Sequence, residues 1–442
     1  MQAVLLAAGE GERCKPLTET KPKSLLKVAN KPIIEYNLDA LSGFVDEVII
    51  VVGHLKDKLE MRLGNYYGTD YYSGIKIRYV TQTEQLGTWH ALMQAKPFIR
   101  SDKIVVMNTD DFYSKSDVEK LLKYENAVLG KGEVGKKGVI VIGSDLVKGI
   151  DERAISKDNE LFNTGLYVFT GAVFDIPLFK PENQKEYYLT DLVGLVAKEK
   201  DFHCEVIEDL YLSVSYPWDL LEMNKKILKG LKKEFNFRGM PFRNNKPLAH
   251  SIRYDERELK NTLKDLVIIG DGCEIVNSAI EGPVIIGENC KIHSAYIRPY
   301  TAIGDNCIIG CVEIKNSIIG DKTKIPHSGY VGDSVIGDGC NIGAGTKFMN
   351  QRIDKHIVKV GRAVMVETKL GDIKKLIGYG EKINTGLEKL GAIVGDNVSF
   401  AGGLTIQPGM IISTNLEVLA SILFEIDYGE PKKLNMLVIK EK

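Results

Sequence analysis

The chain is expected to fold as an α/β domain with a mostly parallel sheet, followed by a three-sided parallel β-coil of hexapeptide faces. Three observations predict this. From Met1 to about Leu231, short β-branched runs alternate with stretches of helical apolar spacing. From Leu266 an aliphatic–Gly–Asp–x–x–aliphatic unit repeats, with Gly at 270, 287, 304, 320 and 337 and hence spacings of 17, 17, 16 and 17. Between the two lies PFRNNKPLAH, a Pro- and Asn-containing stretch that reads as a linker. The boundaries that follow are 1–233 for the first domain, 234–265 for the linker, 266–425 for the coil and 426–442 for a C-terminal tail.

In the first domain Val4–Leu6, Glu47–Val52, Ile75–Val80, Lys103–Met107 and Gly138–Ile142 have the composition of strands. Lys31–Leu41, Lys56–Leu63 and Thr88–Ala95 carry helical spacing between them. Strands alternating with helices imply a parallel sheet covered on both faces, with ligands outside the strands' carboxyl ends. In the second domain one turn of six-residue faces needs about the observed repeat length. Aliphatics stack inward, and Gly with a polar neighbour turns each corner. Residues 347–390 lose the hexads, which resume at GAIVGDNVSFAGG, so this stretch reads as an insertion or an irregular coil.

Length and charge narrow the classes. With 442 residues the chain exceeds one ordinary core. A formal net charge of -1 argues against a nucleic-acid-binding surface spread over the molecule. No run is long enough for a transmembrane helix, and MQAVLLAAGEGER has no basic region before its apolar run, so a cytoplasmic location is expected. Seven Cys fit a reducing compartment. Cys273, Cys290, Cys307 and Cys340 sit in near-identical contexts and read as small side chains stacked at one repeat position.

The most informative string is LLAAGEGERCKPLTETKPKSLLKV. Gly9 and Gly11 let backbone amides approach a phosphate or a base, and Arg13 and Lys23 can neutralise a triphosphate. The segment Leu6-Ala7-Ala8-Gly9-Glu10-Gly11-Glu12-Arg13, followed by Pro22-Lys23, resembles the signature of sugar-nucleotide pyrophosphorylases. The resemblance implies a Rossmann-like nucleotidyltransferase domain, with Leu6, Ala8, Gly9 and Gly11 at the nucleotide, Arg13 on the triphosphate and Lys23 on phosphate near the reacting centre. QTEQLGTWHAL resembles the base-reading segment of uridylyl- and thymidylyltransferases, which implies Gln82 on the imide edge, with Gly87 and Thr88 beside it. An amide can donate and accept at once, which suits that edge.

VVMNTDD implies Asp110 as a Mg²⁺ ligand, with Asp111 adjacent. IDERA, FNTGLYVF and KEYYLTD imply Glu152, Arg153, Asn163 and Gly165 around the sugar phosphate, with Glu186 and Asp191 nearby. One departure stands out. In YLSVSYPWDLLEMN, Ser213 occupies the position of the family's second metal-binding Asp. The implied reaction needs no protein nucleophile: an oxygen of the sugar-1-phosphate attacks the α-phosphorus in line and pyrophosphate leaves.

The coil carries a polar string, IRPYTAIG, VEIKNS, IPHSGYVGDS and NIGAGT, where its repeat calls for aliphatics. The string resembles the acetyltransferase half of bifunctional enzymes that make UDP-N-acetylglucosamine, of the archaeal type, and implies a left-handed β-helix. Carried over, Arg298 and Lys315 would bind sugar phosphate, His327 would be the general base, Tyr330 and Asn341 would orient the sugar, and Ala344 would lie by acetyl-CoA. Asn350 and Lys355 would be extra phosphate contacts. The resemblance implies Mg²⁺, acetyl-CoA as co-substrate, a nucleoside triphosphate and a sugar-1-phosphate as partners, no nucleic acid or membrane, and a homotrimer. Two other readings are a nucleotidyltransferase with a purely structural helix and a non-catalytic regulatory subunit of the same layout. Arg13, Lys23 and Asp110 speak against the last, and Ser213 alone supports it.

Overall fold

The computed structural model describes residues 1–67, 74–182, 184–207, 211–237, 262–367, 374–426 and 432–441. Most of the expected linker, 238–261, lies outside the described residues. Two compact units result. One comprises Met1–Gly11, Lys21–Leu26 and Lys31–Ser213, and the other gathers Glu12–Thr20, Lys27–Asn30 and Val214–Lys442.

The first unit is built on a parallel core of four strands in the order Lys103–Asn108, Gln2–Ala7, Glu47–Val52 and Ile75–Thr81. Its register sets Gln2 beside both Glu47 and Ile104. Because side chains alternate along a strand, the sheet feeds two cores. Ala3, Leu5 and Ala7 join Val48, Ile50 and Met107 on one face, whereas Val4 joins Ile49, Val51 and Val106 on the other. Helix Lys56–Leu63 buries Leu59 and Leu63, one turn apart, and Thr88–Gln94 buries Trp89 and Leu92. The strand Leu161–Thr170 runs antiparallel to Lys103–Asn108 and carries the sheet on to the hairpin Lys137–Gly143 and Leu146–Ile155. All four parallel strands end at one edge, so the segments that follow Ala7, Val52, Thr81 and Asn108 share that edge.

The second unit contains a left-handed parallel β-helix whose rungs fall into three parallel sheets. Val267 pairs with Val284 and Val284 with Thr301, a step of one repeat each time. Ile269, Ile275, Ile280, Ile286, Ile292 and Ile297 stack inside. The corner glycines are obligatory for want of space. A Cβ on Gly270 would lie 2.6 Å from the Gly287 carbonyl carbon, and one on Gly287 would lie 2.7 Å from that of Gly304. Asp ladders brace the same corners: the carboxylates of Asp305, Asp321 and Asp338 accept from the backbone N–H one repeat earlier at 2.8–2.9 Å.

The expected stack of small side chains is there, and it is also hydrogen-bonded. Cys273, Cys290, Cys307 and Cys340 are buried, and each Sγ donates to a glycine carbonyl of the next coil at 3.0–3.3 Å. Thr323 takes the same place between Cys307 and Cys340, donating to Gly337 O at 2.9 Å.

Four stretches depart from the sequence reading. The helix Asp219–Phe237 continues past residue 233, and the first rung strand, Thr262–Lys264, begins ahead of 266. The stretch 347–390 is no irregular coil: Lys347–Phe348 is still a rung, and Lys359–Glu367 pairs antiparallel with Lys374–Asn384. Rungs resume where Ile393 pairs with Val335. Beyond 426, Lys432–Glu441 is a strand, antiparallel to Leu416–Ile426 and to Lys374–Asn384. These pairings extend one sheet of the coil through two hairpins, whose strands of 9 to 11 residues are too long for a hexad face.

Candidate active sites

The nucleotide-side residues gather at the common strand edge of the first unit. Leu6 is the last residue but one of the first strand, and its carbonyl accepts from Thr109 Oγ1 at 2.9 Å. Ala8 O accepts from His54 N–H at 3.3 Å and from Gln85 Nε2 at 3.0 Å. Gly53, which sequence reasoning missed, closes this corner: a Cβ there would stand 2.6 Å from Ala8 O. Gly9 faces open space, and Gly11 has φ +67°.

Gln82 is buried and its Nε2 lies 3.1 Å from Gly87 O and 3.0 Å from His90 Nδ1. The Gln82 amide nitrogen thus has a main-chain carbonyl and an imidazole nitrogen as neighbours within the protein. Gly87 (φ +105°) cannot be replaced, since a Cβ would meet Tyr187 O at 2.5 Å. Thr88 Oγ1 accepts from Leu189 N–H at 3.0 Å, and Trp89 N–H donates to Tyr187 O at 2.9 Å. These bonds clamp the 86–89 turn onto 187–189, joining the base-side and sugar-side segments.

Lys23 Nζ reaches Asp110 Oδ2 at 2.5 Å, the ammonium well shielded and the carboxylate 36% exposed. Asp111 points the other way, into the protein, where Tyr211 donates to it at 3.1 Å and Ser213 also hydrogen-bonds it. The short strands Asp111–Phe112 and Leu212–Ser213 set Ser213 directly opposite Asp111. Burial, and secondly the neighbouring Asp110 charge, push the Asp111 carboxyl up to about 7. Among the described residues no three His, Cys, Asp or Glu side chains gather to form an all-protein metal cage. A half-open carboxylate at Asp110 does fit a Mg²⁺ ion that keeps waters and takes phosphate oxygens as its other ligands. Arg13 belongs to the second unit, where its guanidinium lies 5.9 Å from the Tyr216 ring centroid, itself stacked on Trp218.

Of the residues expected at the sugar, Glu152, Arg153 and Asp191 line a cavity of about 430 Å³ together with Lys148, Asp151 and Gln184 among others. Burial raises the Glu152 carboxyl above its ordinary range, and the charges of Asp191 and Asp151 add to this. Asp191 Oδ2 and Gln184 Oε1 are buried acceptors with no donor among the described residues. Arg153 is exposed, and its backbone N–H donates to Asp151 at 2.9 Å. Asn163 and Gly165 do not line the cavity, yet Gly138 separates Asn163 from Glu152, its Cβ position lying 3.7 and 3.3 Å from them. Asn163 donates to Tyr167 at 2.6 Å and accepts from Gly165 N–H at 3.0 Å. Gly165 (φ +83°) is fixed by Asn108, whose Nδ2 would lie 2.1 Å from a Cβ. Glu186 is exposed.

In the β-helix the expected residues divide between faces. Arg298, Lys315 and Tyr330 follow or occupy strands of one sheet, and Asn341 lies on another. His327 and Ala344, both exposed, sit at the edge between those sheets in successive coils, bridged by Gly345 N–H to Ser328 O at 2.7 Å. Arg298 is paired with Glu313 at 2.7 Å, a partner that the polar string contained and sequence reasoning passed over. Asn350 is withdrawn from solvent, its amide hydrogen-bonded to Asp333, which excludes it as an exposed phosphate contact. Lys355 is exposed.

A family model described as nucleotidyl transferase matches residues 2–230, and one described as the GMPPB C-terminal domain matches residues 280–425. The chain is 34% identical to the bifunctional protein GlmU of Methanococcus maripaludis strain C7, covering 100% of both chains. It is 32% identical to the protein of that name from Methanocaldococcus jannaschii, over 97% of this chain and 95% of the relative. It is likewise 32% identical to a bifunctional sugar-1-phosphate nucleotidylyltransferase/acetyltransferase of Sulfurisphaera tokodaii, over 97% and 99%.

Proposed function

The chain belongs to the nucleotidyl transferase family, and from that premise we propose a bifunctional enzyme of nucleotide-sugar synthesis. Its β-helix transfers acetyl from acetyl-CoA to an amino-sugar-1-phosphate, and its α/β domain then joins UTP or dTTP to the N-acetylglucosamine-1-phosphate so formed. The observation that carries this is the end-to-end match, at 34% identity, to a protein named as bifunctional.

In nucleotidyl transfer a phosphate oxygen of the sugar-1-phosphate attacks the α-phosphorus, the bond to the β-phosphate breaks and pyrophosphate departs. Lys23 and Arg13 neutralise phosphate charge, and Gln82 reads the base. Asp110 would hold Mg²⁺, which supplies further charge neutralisation when bound. Glu152, Asp191 and Gln184 offer acceptors to sugar hydroxyls, in keeping with the two buried oxygens that have no donor among the described residues.

In acetyl transfer the amine nitrogen attacks the thioester carbonyl, His327 takes the amine proton, and the C–S bond breaks to release the CoA thiol. Arg298, Lys315 and Tyr330 on one face and Asn341 on another suit a site shared between neighbouring copies of a homotrimer. No described helix is long and apolar enough to cross a membrane, and we place the enzyme in the cytoplasm on its cysteine usage.

The test is one coupled assay with glucosamine-1-phosphate, acetyl-CoA, UTP and Mg²⁺. Thiol release should vanish in His327→Ala while pyrophosphate release from supplied N-acetylglucosamine-1-phosphate persists, and Lys23→Ala should do the reverse. Pyrophosphate without thiol in the wild type would reduce the β-helix to a scaffold.

A further inference from the structure

Gln82 follows the Ile75–Thr81 strand and is 5% exposed. Its amide nitrogen carries two N–H groups, and each has an acceptor: Gly87 O at 3.1 Å and His90 Nδ1 at 3.0 Å. The main-chain carbonyl decides the amide's orientation, since a flipped Gln82 would set oxygen against oxygen there. With nitrogen fixed on that side, His90 Nδ1 must accept, and the ring proton belongs on Nε2. Gln94 Nε2 lies 3.2 Å from that ring nitrogen and donates to His90 O at 3.1 Å. An Nε2 proton requires Gln94, the less buried of the two amides, to turn its oxygen to the ring and give up its bond to His90 O. What remains of Gln82 is Oε1, an acceptor with no donor among the described residues and not fully enclosed.

We propose that His90 is a positioning residue for nucleobase choice, holding the Gln82 amide nitrogen so that only Oε1 meets the base. The site then takes bases that present a ring N–H, uracil and thymine, and rejects cytosine, whose corresponding ring nitrogen offers a lone pair. This rests on Gln82 as base reader in the proposed function. A histidine that merely filled space could be replaced by any ring of similar size; one that supplies an acceptor could not.

The experiment measures kcat and KM for UTP and CTP with the full-length wild type, His90→Phe and His90→Asn. Wild type should favour UTP strongly. His90→Phe keeps the ring and loses the acceptor, so KM for UTP should rise about tenfold and the UTP-to-CTP preference should narrow, with kcat at saturating UTP little changed. His90→Asn returns a short-reach acceptor and should restore most of the preference. A long-range ¹H–¹⁵N spectrum of histidine-labelled protein, the His90 signal being the one of seven lost in His90→Phe, should show the Nε2–H tautomer. An unchanged UTP-to-CTP ratio in His90→Phe, or an Nδ1–H tautomer, overturns the inference. A wild type that takes CTP as readily as UTP overturns the base-reading role of Gln82 itself, and the inference with it. The tautomer is read without substrate, so it judges the hydrogen-bond lock separately.

Discussion

Asp111 is a carboxyl taken out of water beside another carboxyl, and its hydroxyl partners at Tyr211 and Ser213 only partly offset that cost. Burial first, and Asp110 second, push it up to about 7, above the range of an unfolded chain. The folded protein therefore holds this proton more tightly than the unfolded one. The associated stability is present below the unfolded carboxylate range and is lost as pH rises through the folded value. In metal-free buffer the free energy of urea unfolding should fall from about pH 4 to about pH 7, by at most about 1.4 kcal/mol per unit, and level off above that. Asp111→Asn should remove this component, and an unaltered pH slope in that variant would refute the assignment. The Asp pair was legible in the sequence. Which member is inward was not, because neighbouring strand residues face opposite sides and the sequence does not say which side is solvent.

At the scale of elements, the β-helix depends on a column of side chains that is more than small. The N–H of Cys290 and of Cys307 reaches the preceding Sγ at 3.4 Å, while each Sγ–H donates onward to a glycine carbonyl. Thr323 performs both roles with oxygen, accepting from Cys340 N–H at 3.1 Å. Cys307→Thr should therefore unfold close to wild type in urea. Cys307→Ala, which opens a small void and strands the Gly320 carbonyl, should lose about 1–2 kcal/mol. Equal losses for the two substitutions would show that packing alone matters. The repeat revealed the column because equal spacing is a one-dimensional property. Its hydrogen bonds join successive coils, and the only trace of them in the sequence was a Thr among the Cys.

At the scale of the whole molecule, the residues proposed for acetyl transfer lie on two faces of a three-sided coil, and faces of one convex prism cannot close on one ligand. A shared site predicts complementation. Arg298→Ala and Asn341→Ala should each abolish acetyl transfer, and co-expression of the two should return about a quarter of the wild-type rate, the share of interfaces with both residues intact. Size-exclusion chromatography with light scattering should give a trimer. A monomer, or no recovery on co-expression from variants that each remain trimeric, would exclude a shared site.

The sequence by itself determined the two architectures, their order and the residues most worth testing. Strand alternation, helical spacing and the corner glycines are local periodicities, and the phosphate-side string is contiguous from Leu6 to Lys23. Only the tertiary structure decided the rest. It showed the antiparallel hairpins after residue 358, joined by a pairing between Lys374–Asn384 and the remote strand Lys432–Glu441, and the cavity that unites Glu152 with Asp191. It also showed the engagement of the Gln82 amide by His90 and the pairing of Arg298 with Glu313. Each of these depends on the direction in which a side chain or a strand edge meets a remote partner, and residue order does not encode direction until the chain has folded.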